Sequence, residues 1–164
     1  MKISFTLLVV LVTSTIVVPF LIFILKGINS NAKKEIYKLT KQNNFKYDVK
    51  TIWNNKFIGI SEDKNILTYI HIKEENKQFT NIKLSHFKTC DIAANYKIDK
   101  NKVRHLKQLD LKLTYNAPDK KDLIIRFFDA DEAFMENYEM RRIEYWKTLI
   151  SNNLNRTLIN KKAA

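Results

Sequence analysis

Histidine and cysteine are the side chains that could bind a transition metal, and their spacing argues against a shared site. His86 and Cys90 lie four residues apart in a β-rich stretch. Along a strand this separation is about 13 Å, so the two side chains cannot ligate one ion. His71 and His105 could approach His86 only through the fold, and nothing in their spacing requires it. The sequence therefore predicts no metal site, and Cys90 is interpreted as a half-buried strand residue.

Motifs of catalysis and cofactor binding give no candidate site. A phosphate-binding loop is rich in glycine, and the chain has only Gly27 and Gly59. Neither the H-E-x-x-H zinc motif nor the G-x-S-x-G nucleophile motif occurs in the sequence. We therefore expect no catalytic residue, no cofactor and no small-molecule substrate. An enzyme of an unrecognised type is kept as an alternative.

An acidic cluster could bind a cation or supply an acid/base pair. Its members are Asp129, Asp131, Glu132 and Glu136. Carboxylates also concentrate at helix N-termini, where they face the positive end of the helix dipole. Because Asp129 and Glu132 have the spacing of a capping arrangement, we interpret the cluster as the start of a helix.

The chain is strongly basic, with 29 Lys and Arg residues, 17 Asp and Glu residues and a formal net charge of +12. Such a charge attracts anionic lipid, acidic protein and nucleic acid. Aromatic residues alternate with lysines at residues 45–47 and 53–57, and this pattern could stack on single-stranded nucleic acid. Alternation along a strand also places aromatics in the core and lysines in water. We favour that interpretation and predict no nucleic-acid partner.

Residues 1–26 have the pattern of a transmembrane helix. No charged residue occurs from Ile3 to Leu25. This stretch of about 23 residues would form a helix about 34 Å long, enough for a hydrocarbon core of about 30 Å. A cleavable signal peptide has a shorter apolar region followed by small residues. We predict a retained anchor, with a cleaved signal and a buried helix of a soluble protein as alternatives.

Flanking lysines predict the orientation of this anchor. Lys2 precedes the apolar stretch, and five lysines follow it closely: Lys26, Lys33, Lys34, Lys38 and Lys41. Positive flanks stay in the cytoplasm, so we predict a cytoplasmic C-terminal domain. The same five lysines are the candidate residues for contact with the membrane surface.

Residues 27–44 are predicted to form a basic juxtamembrane helix or linker. Ile36 and Leu39 would share one face of such a helix, with lysines over much of the remainder. Two interpretations are open. The segment is either a solvated continuation of the membrane helix or a basic segment lying on anionic headgroups.

Residues 45–153 change from strand to helix periodicity and are predicted to form one α+β domain. Strands are expected at 56–61, 66–72, 109–115 and 123–128, and residues 80–84 and 87–93 form one bent strand with a bulge or two shorter strands. A helix should start between residues 131 and 138 and end near Asn153. Its apolar stripe is expected to pack on the sheet: Met140, Ile143, Trp146 and Ile150. Residues 154–164 are predicted to be a frayed tail.

The order of four segments carries a family resemblance: KFIGISEDKNILTYI, LSHFKTCDI, LDLKLTYNAPDKKDLIIRFFDAD and RIEYWKTLI. It resembles small bacterial domains with a PH-like barrel and an N-terminal transmembrane helix, over about residues 45–153. The resemblance implies a bent antiparallel sheet of about seven strands, capped by the C-terminal helix, in an interaction or scaffold module. The first hairpin loop, SEDKN, has two acids and one lysine, whereas lipid-binding relatives carry a basic cluster there.

Together these features predict a single-pass, non-catalytic interaction or scaffold module at the cytoplasmic (inner) membrane of a bacterium, for example a subunit of a membrane assembly. Its expected partners are membrane lipid and another membrane protein or a second copy of itself. The alternative is a peripheral reader of anionic lipid that uses the basic juxtamembrane segment.

Overall fold

The computed structural model describes residues 30–73, 76–132 and 138–163, together with four separate helical positions, Thr13, Thr15, Val17 and Val18. The predicted transmembrane helix, residues 1–26, otherwise lies outside the described residues, as does Lys26. Within the described part of the chain, no helix is both long enough and apolar enough to span a bilayer.

Seven strands in the described residues pair into two antiparallel sheets. The first sheet has the order β1-β2-β3-β4, and the second has the order β5-β6-β7. The strands are β1 (Val49–Trp53), β2 (Lys56–Ser61), β3 (Ile66–Ile72), β4 (Lys77–Lys83), β5 (Phe87–Ile98), β6 (Arg104–Tyr115) and β7 (Leu123–Asp129). Helix α1 (Ser30–Gln42) precedes them and helix α2 (Glu139–Ala163) follows them. The predicted α+β class, with seven strands and a C-terminal helix, is confirmed.

Asparagines shape the hairpins of the first sheet. Asn54, between β1 and β2, and Asn65, between β2 and β3, have φ angles of 47° and 51°. Asparagine tolerates this left-handed conformation better than most residues, so it fits tight turns. The predicted strands at 56–61 and 66–72 are confirmed with the same bounds, because these turns separate two β-branched, apolar runs.

The connection between the two sheets is a single 3-10 turn, Leu84–His86. It separates β4 from β5, so the alternative of two strands is the one observed. The predicted bulge is present as a register shift between Phe87 and Thr89. Leu84 is fully buried at this corner, which fixes the chain where it passes from one sheet to the other.

The main hydrophobic core lies between the two sheets and α2. The structure places Ile143, Trp146 and Ile150 fully buried in it, and Met140 packs against it. The indole Nε1 of Trp146 also donates a hydrogen bond to Thr51 Oγ1 at 3.2 Å. A buried indole N–H needs such a partner, and this one ties α2 to β1.

Helix α2 is longer than its sequence pattern predicts. We expected it to end near Asn153, with a frayed tail over residues 154–164, but the helix continues to Ala163. Leu154 lies one turn after Ile150 and is buried, so the apolar stripe extends further than its first four members. No Gly or Pro interrupts this part of the sequence.

We expect Gly59→Ala to destabilise the first sheet. An added Cβ would lie 2.7 Å from Phe57 Cζ and 2.8 Å from Tyr47 Cδ1, closer than carbon atoms normally approach. Such overpacking costs about 1–3 kcal/mol, measurable as a lower urea midpoint for the full chain in detergent. The Phe57→Leu background removes the nearest atom, so the Ala substitution should cost less there. An equal cost in both backgrounds would contradict this packing.

Candidate functional site

Helix α1 docks on the outer face of the first sheet, the face directed away from the main core. Ile36 is fully buried against Phe57 of β2 and Ile70 of β3. Leu39 and Tyr47 pack around these three residues. Burial of a large apolar side chain contributes about 1.5–3 kcal/mol. A second, smaller apolar cluster therefore holds α1 against the sheet.

Polar contacts fix both ends of this docked helix. At the C-terminal end, Asn43 and Asn81 exchange two amide hydrogen bonds of 3.1 and 3.0 Å, and Asn43 Nδ2 donates to Tyr47 Oη at 2.8 Å. Near the N-terminal end, Lys77 Nζ donates to Glu35 Oε1 at 2.7 Å. Reciprocal amide bonds constrain orientation as well as distance, so α1 has a defined register along β3 and β4.

The docked helix turns its lysines away from the sheet. Its exposed face carries four of the predicted membrane-surface residues, here called the lysine face: Lys33, Lys34, Lys38 and Lys41. Tyr37 lies among them and is 70% exposed. At 3.6 residues per turn, these five residues fall within an arc of about 140°, roughly opposite Ile36 and Leu39. Segment 30–42 is therefore a covering layer of the sheet, with Ile36 buried against the strands and the lysine face in solvent.

A second group of polar residues, the charge cluster, lies at the end of the first sheet that contains the turn between β1 and β2. Its members are Lys56, His71, Lys73 and Glu132. Lys56 and His71 are directly paired across β2 and β3, and they are only 3% and 2% exposed. Glu132 comes from the segment after β7. Its Oε2 lies 3.1 Å from Lys56 Nζ, and its Oε1 lies 2.7 Å from Lys73 Nζ.

The carboxylate of Glu132 balances the buried positive charge. Burial alone would raise the pKa of Glu132, but the hydrogen bond from Lys73 and the charge of Lys56 lower it below its usual value. A buried lysine is tolerated when it is paired in this way, and removing the partner of a buried ion pair is strongly destabilising. Glu132 therefore links the segment after β7 to the first sheet.

His71 remains neutral inside this cluster. Its Nε2 lies 3.3 Å from Glu132 Oε2 but forms no hydrogen bond. Burial lowers the pKa of His71 to about 4, and the charge of Lys56 adds to the effect, although Glu132 opposes it. Because two lysines already compensate Glu132, a third positive charge is unfavourable there.

The acidic cluster does not start helix α2 as we predicted. Asp129 ends β7, and its carboxylate accepts hydrogen bonds from Arg126, Gln108 and the amide of Asp131. Burial would raise the pKa of Asp129, but the bonds from Asp131 and Arg126 lower it. Since Asp129 is occupied by these partners, it stabilises a turn, and α2 begins at Glu139. Glu136 lies outside the described residues.

The other candidates from the sequence occupy separate places. Cys90 is buried, and burial, with the charge of Asp91, raises the pKa of its thiol to about 12. A thiol of this kind is not nucleophilic near neutral pH. Trp53 and Phe57 are buried and so are not available to stack on bases. In the ranges that the structure describes, no three His, Cys, Asp or Glu side chains are placed to hold a metal ion.

Comparisons of the chain with models of known protein families, with curated proteins and with solved structures give no match.

We did not predict the docking of α1 or the charge cluster, although both left signals in the sequence. Strand β3 has apolar residues on both faces, and a strand of this kind needs a cover on each side. Lys56 is in phase with the buried residues Ile58 and Ile60 of β2. A lysine in an inward-facing row indicates a buried charge that requires a partner.

We expect Ile36→Ala to loosen α1 from the sheet. Loss of a fully buried Ile side chain down to Ala typically costs about 2–5 kcal/mol. The neighbouring substitution Tyr37→Ala is the matched control, since an exposed side chain usually changes stability by less than about 0.5 kcal/mol. Urea unfolding of both full-chain variants in detergent measures the difference. Equal midpoints would show that α1 is not docked.

The stability of the protein should fall on mild acidification because of His71. The pKa of His71 is about 4 in the folded protein, whereas the ordinary value of 6.5 applies in the unfolded chain. Between pH 4 and pH 6.5 the unfolded chain therefore binds more protons than the folded protein. Stability from this group is therefore present above pH 6.5 and lost as the pH falls towards 4. Carboxylates such as Glu132 contribute mainly below this range, so pH 5 to 6.5 isolates the histidine.

The measurement is the urea midpoint of the full chain between pH 5 and 6.5. We expect His71→Gln to flatten this pH dependence. The exposed His86 offers a control, His86→Gln, for the removal of an imidazole as such. An unchanged slope in His71→Gln would mean that His71 does not stay neutral in the charge cluster.

Proposed function

We propose that this protein is a single-pass, membrane-anchored and non-catalytic interaction module with a PH-like fold, facing the cytoplasm of a bacterium. The observation that carries the proposal is the docking of α1. Only residues 26–29 separate the charge-free stretch Ile3–Leu25 from this helix. Because α1 is a layer of the domain, an anchor that precedes it would hold the whole domain close to the bilayer.

The arrangement of sheets and helix supports the PH-like part of the proposal. One sheet of four strands and one of three strands enclose a single core, and a C-terminal helix closes it with the buried Trp146. This is the arrangement that the resemblance to small bacterial PH-like domains implies. Such domains usually present their surfaces to a partner, so we assign the module another membrane protein or a second copy as its partner.

Poor access to the buried titratable groups supports the non-catalytic part. A catalytic residue must reach the substrate, but Lys56 and His71 are almost completely buried. Open concavities occur beside the start of β4 and at the turn between β6 and β7. The exposed Lys73 lines the first of them, and neither is lined by Lys56, His71 or Glu132. The charge cluster is therefore assigned a structural role.

The lysine face favours a second candidate, a peripheral reader of anionic lipid. Four lysines on one side of a docked helix form a preordered positive surface, and each lysine near an anionic membrane contributes about 1 kcal/mol. In this arrangement α1 would lie flat on the headgroups. The Tyr37 ring would then sit at the membrane–water interface, where tyrosine is enriched.

Extraction of bacterial membranes tests both candidates. We expect the full chain to stay in the membrane pellet in alkaline carbonate, because an apolar span is removed only by detergent. The control Leu8→Arg/Leu11→Arg should be extracted, since an arginine within an apolar span costs up to about 2.5–3.5 kcal/mol. Crosslinking in cells should join the protein to a second membrane protein or to another copy.

Three results would contradict the anchored module: release by carbonate, mature protein that begins beyond residue 30, or no crosslinked partner. The peripheral reader would be supported instead if carbonate released the protein and the released protein sedimented with phosphatidylglycerol vesicles at low salt but not at high salt.

A further inference from the structure

The outer part of the β5–β6 hairpin, residues 95–107, forms a two-stranded projection that we call the ribbon. Pairing of β6 with β7 ends at Gln108 and Asp129, so beyond this point β6 pairs with β5 alone. Pairing between β5 and β6 continues out to Ile98 and Arg104. Nearly every residue of the ribbon is exposed, with Leu106 as the partly buried residue that packs towards the core.

The tip of the ribbon combines apolar and basic side chains. Ile98 is 64% exposed and Val103 is 50% exposed. Four exposed cations lie next to them in the ribbon: Lys97, Lys100, Lys102 and Arg104. The one carboxylate of the ribbon, Asp99, accepts hydrogen bonds from the amides of Asn101 and Val103 and contacts His105. Its charge is directed into the turn, so the surface of the ribbon is strongly positive.

The ribbon is ordered in a shape that keeps these side chains in solvent. The guanidinium of Arg104 lies over the Tyr96 ring at 4.5 Å, and Asp99 N donates to Val103 O at 3.0 Å. Lys102 completes the turn with a φ angle of 62°. A surface that is already ordered loses little conformational entropy on binding. Exposed apolar side chains in a basic projection are suited to an anionic interface.

Contacts place the base of the ribbon at the end of the domain where α1 begins. Glu35, near the start of α1, pairs with Lys77 at the start of β4. Lys73, just before β4, pairs with Glu132, and the amide of Ala130 donates to the carbonyl of Lys107 at the base of the ribbon. The anchor assigned above enters the domain at the start of α1. The base of the ribbon and the start of α1 therefore lie at the same end of the domain.

We propose that the ribbon tip inserts Ile98 and Val103 among the headgroups of anionic lipids, while the four cations of the tip contact the lipid phosphates. This inference rests on the proposed anchor, which places the same bilayer next to the ribbon. Charge complementarity favours lipid over a second copy, because two ribbons repel each other and the chain carries a formal charge of +12. The domain then stands upright on the membrane, touching it with the ribbon as well as the anchor.

The test uses the full chain reconstituted into vesicles and labelled at position 103. Val103→Cys carries an environment-sensitive dye, and the buried Cys90 does not compete for labelling because its thiol stays protonated. The matched control is Asp119→Cys, in the turn that joins β6 to β7 at the other end of these strands. In phosphatidylglycerol vesicles we expect the dye at position 103 to show a blue-shifted emission and protection from iodide. The dye at position 119 should show neither effect. In phosphatidylcholine vesicles neither position should change.

Charge removal at the tip gives a second, independent measurement. Lys100→Gln/Lys102→Gln alters two exposed side chains and should leave the fold intact. Since each cation near an anionic surface shifts a binding equilibrium about fivefold, the ratio of inserted to free ribbons should fall about 25-fold. The substitution of both residues by Arg keeps the charge and should preserve insertion.

Suppose that the reconstituted protein resists extraction by carbonate but iodide quenches positions 103 and 119 equally in phosphatidylglycerol vesicles. This result would overturn the inference and would not contradict the proposed anchor. The same would follow if protection appeared only after addition of a second protein or of nucleic acid. Release of the reconstituted protein by carbonate would overturn the proposed function and the inference together.

Discussion

The first sheet is apolar on both faces, and the rest of the structure follows from the need to cover both. In β3, Leu67 and Tyr69 face the main core, whereas Thr68 and Ile70 face the other side, and all four are buried. Helix α2 and the second sheet cover the inner face, and α1 covers the outer one. Without α1, Phe57 and Ile70 would be exposed to water next to each other. The helix that follows the predicted anchor is thus a structural layer of the domain.

Charge is distributed according to the same layers. Where the inner rows of β2 and β3 reach the end of the sheet, they carry Lys56 and His71 in place of apolar residues, and Glu132 compensates them from the segment after β7. These charged residues therefore close one end of the core. Two groups of exposed cations lie apart from the charge cluster, on the lysine face and on the ribbon. The lysine face covers the outer side of the first sheet, whereas the ribbon extends from the second sheet, so a flat and an upright domain would use different contacts with a membrane.

Local patterns in the sequence were sufficient for most of the fold. Strands β2 and β3 and the stripe of α2 have strong periodicity and clear turn residues, so their positions follow from neighbours in sequence. Contacts between distant residues were not predictable in this way. The docking of Ile36 on Phe57 and Ile70, and the pairing of Lys56 with Glu132, depend on how the sheets fold over. The outer half of β5 was missed because its exposed residues alternate little in polarity.

Hydrogen exchange of the full chain in lipid nanodiscs tests the central claim, that α1 is a layer of the domain, most directly. If α1 is docked, the amides of residues 34–42 exchange as slowly as those of β2 and β3, because they open only when the sheet loses its outer cover. Fast exchange of α1 at the rate of an unstructured peptide, while β2 and β3 stay protected, would contradict the account.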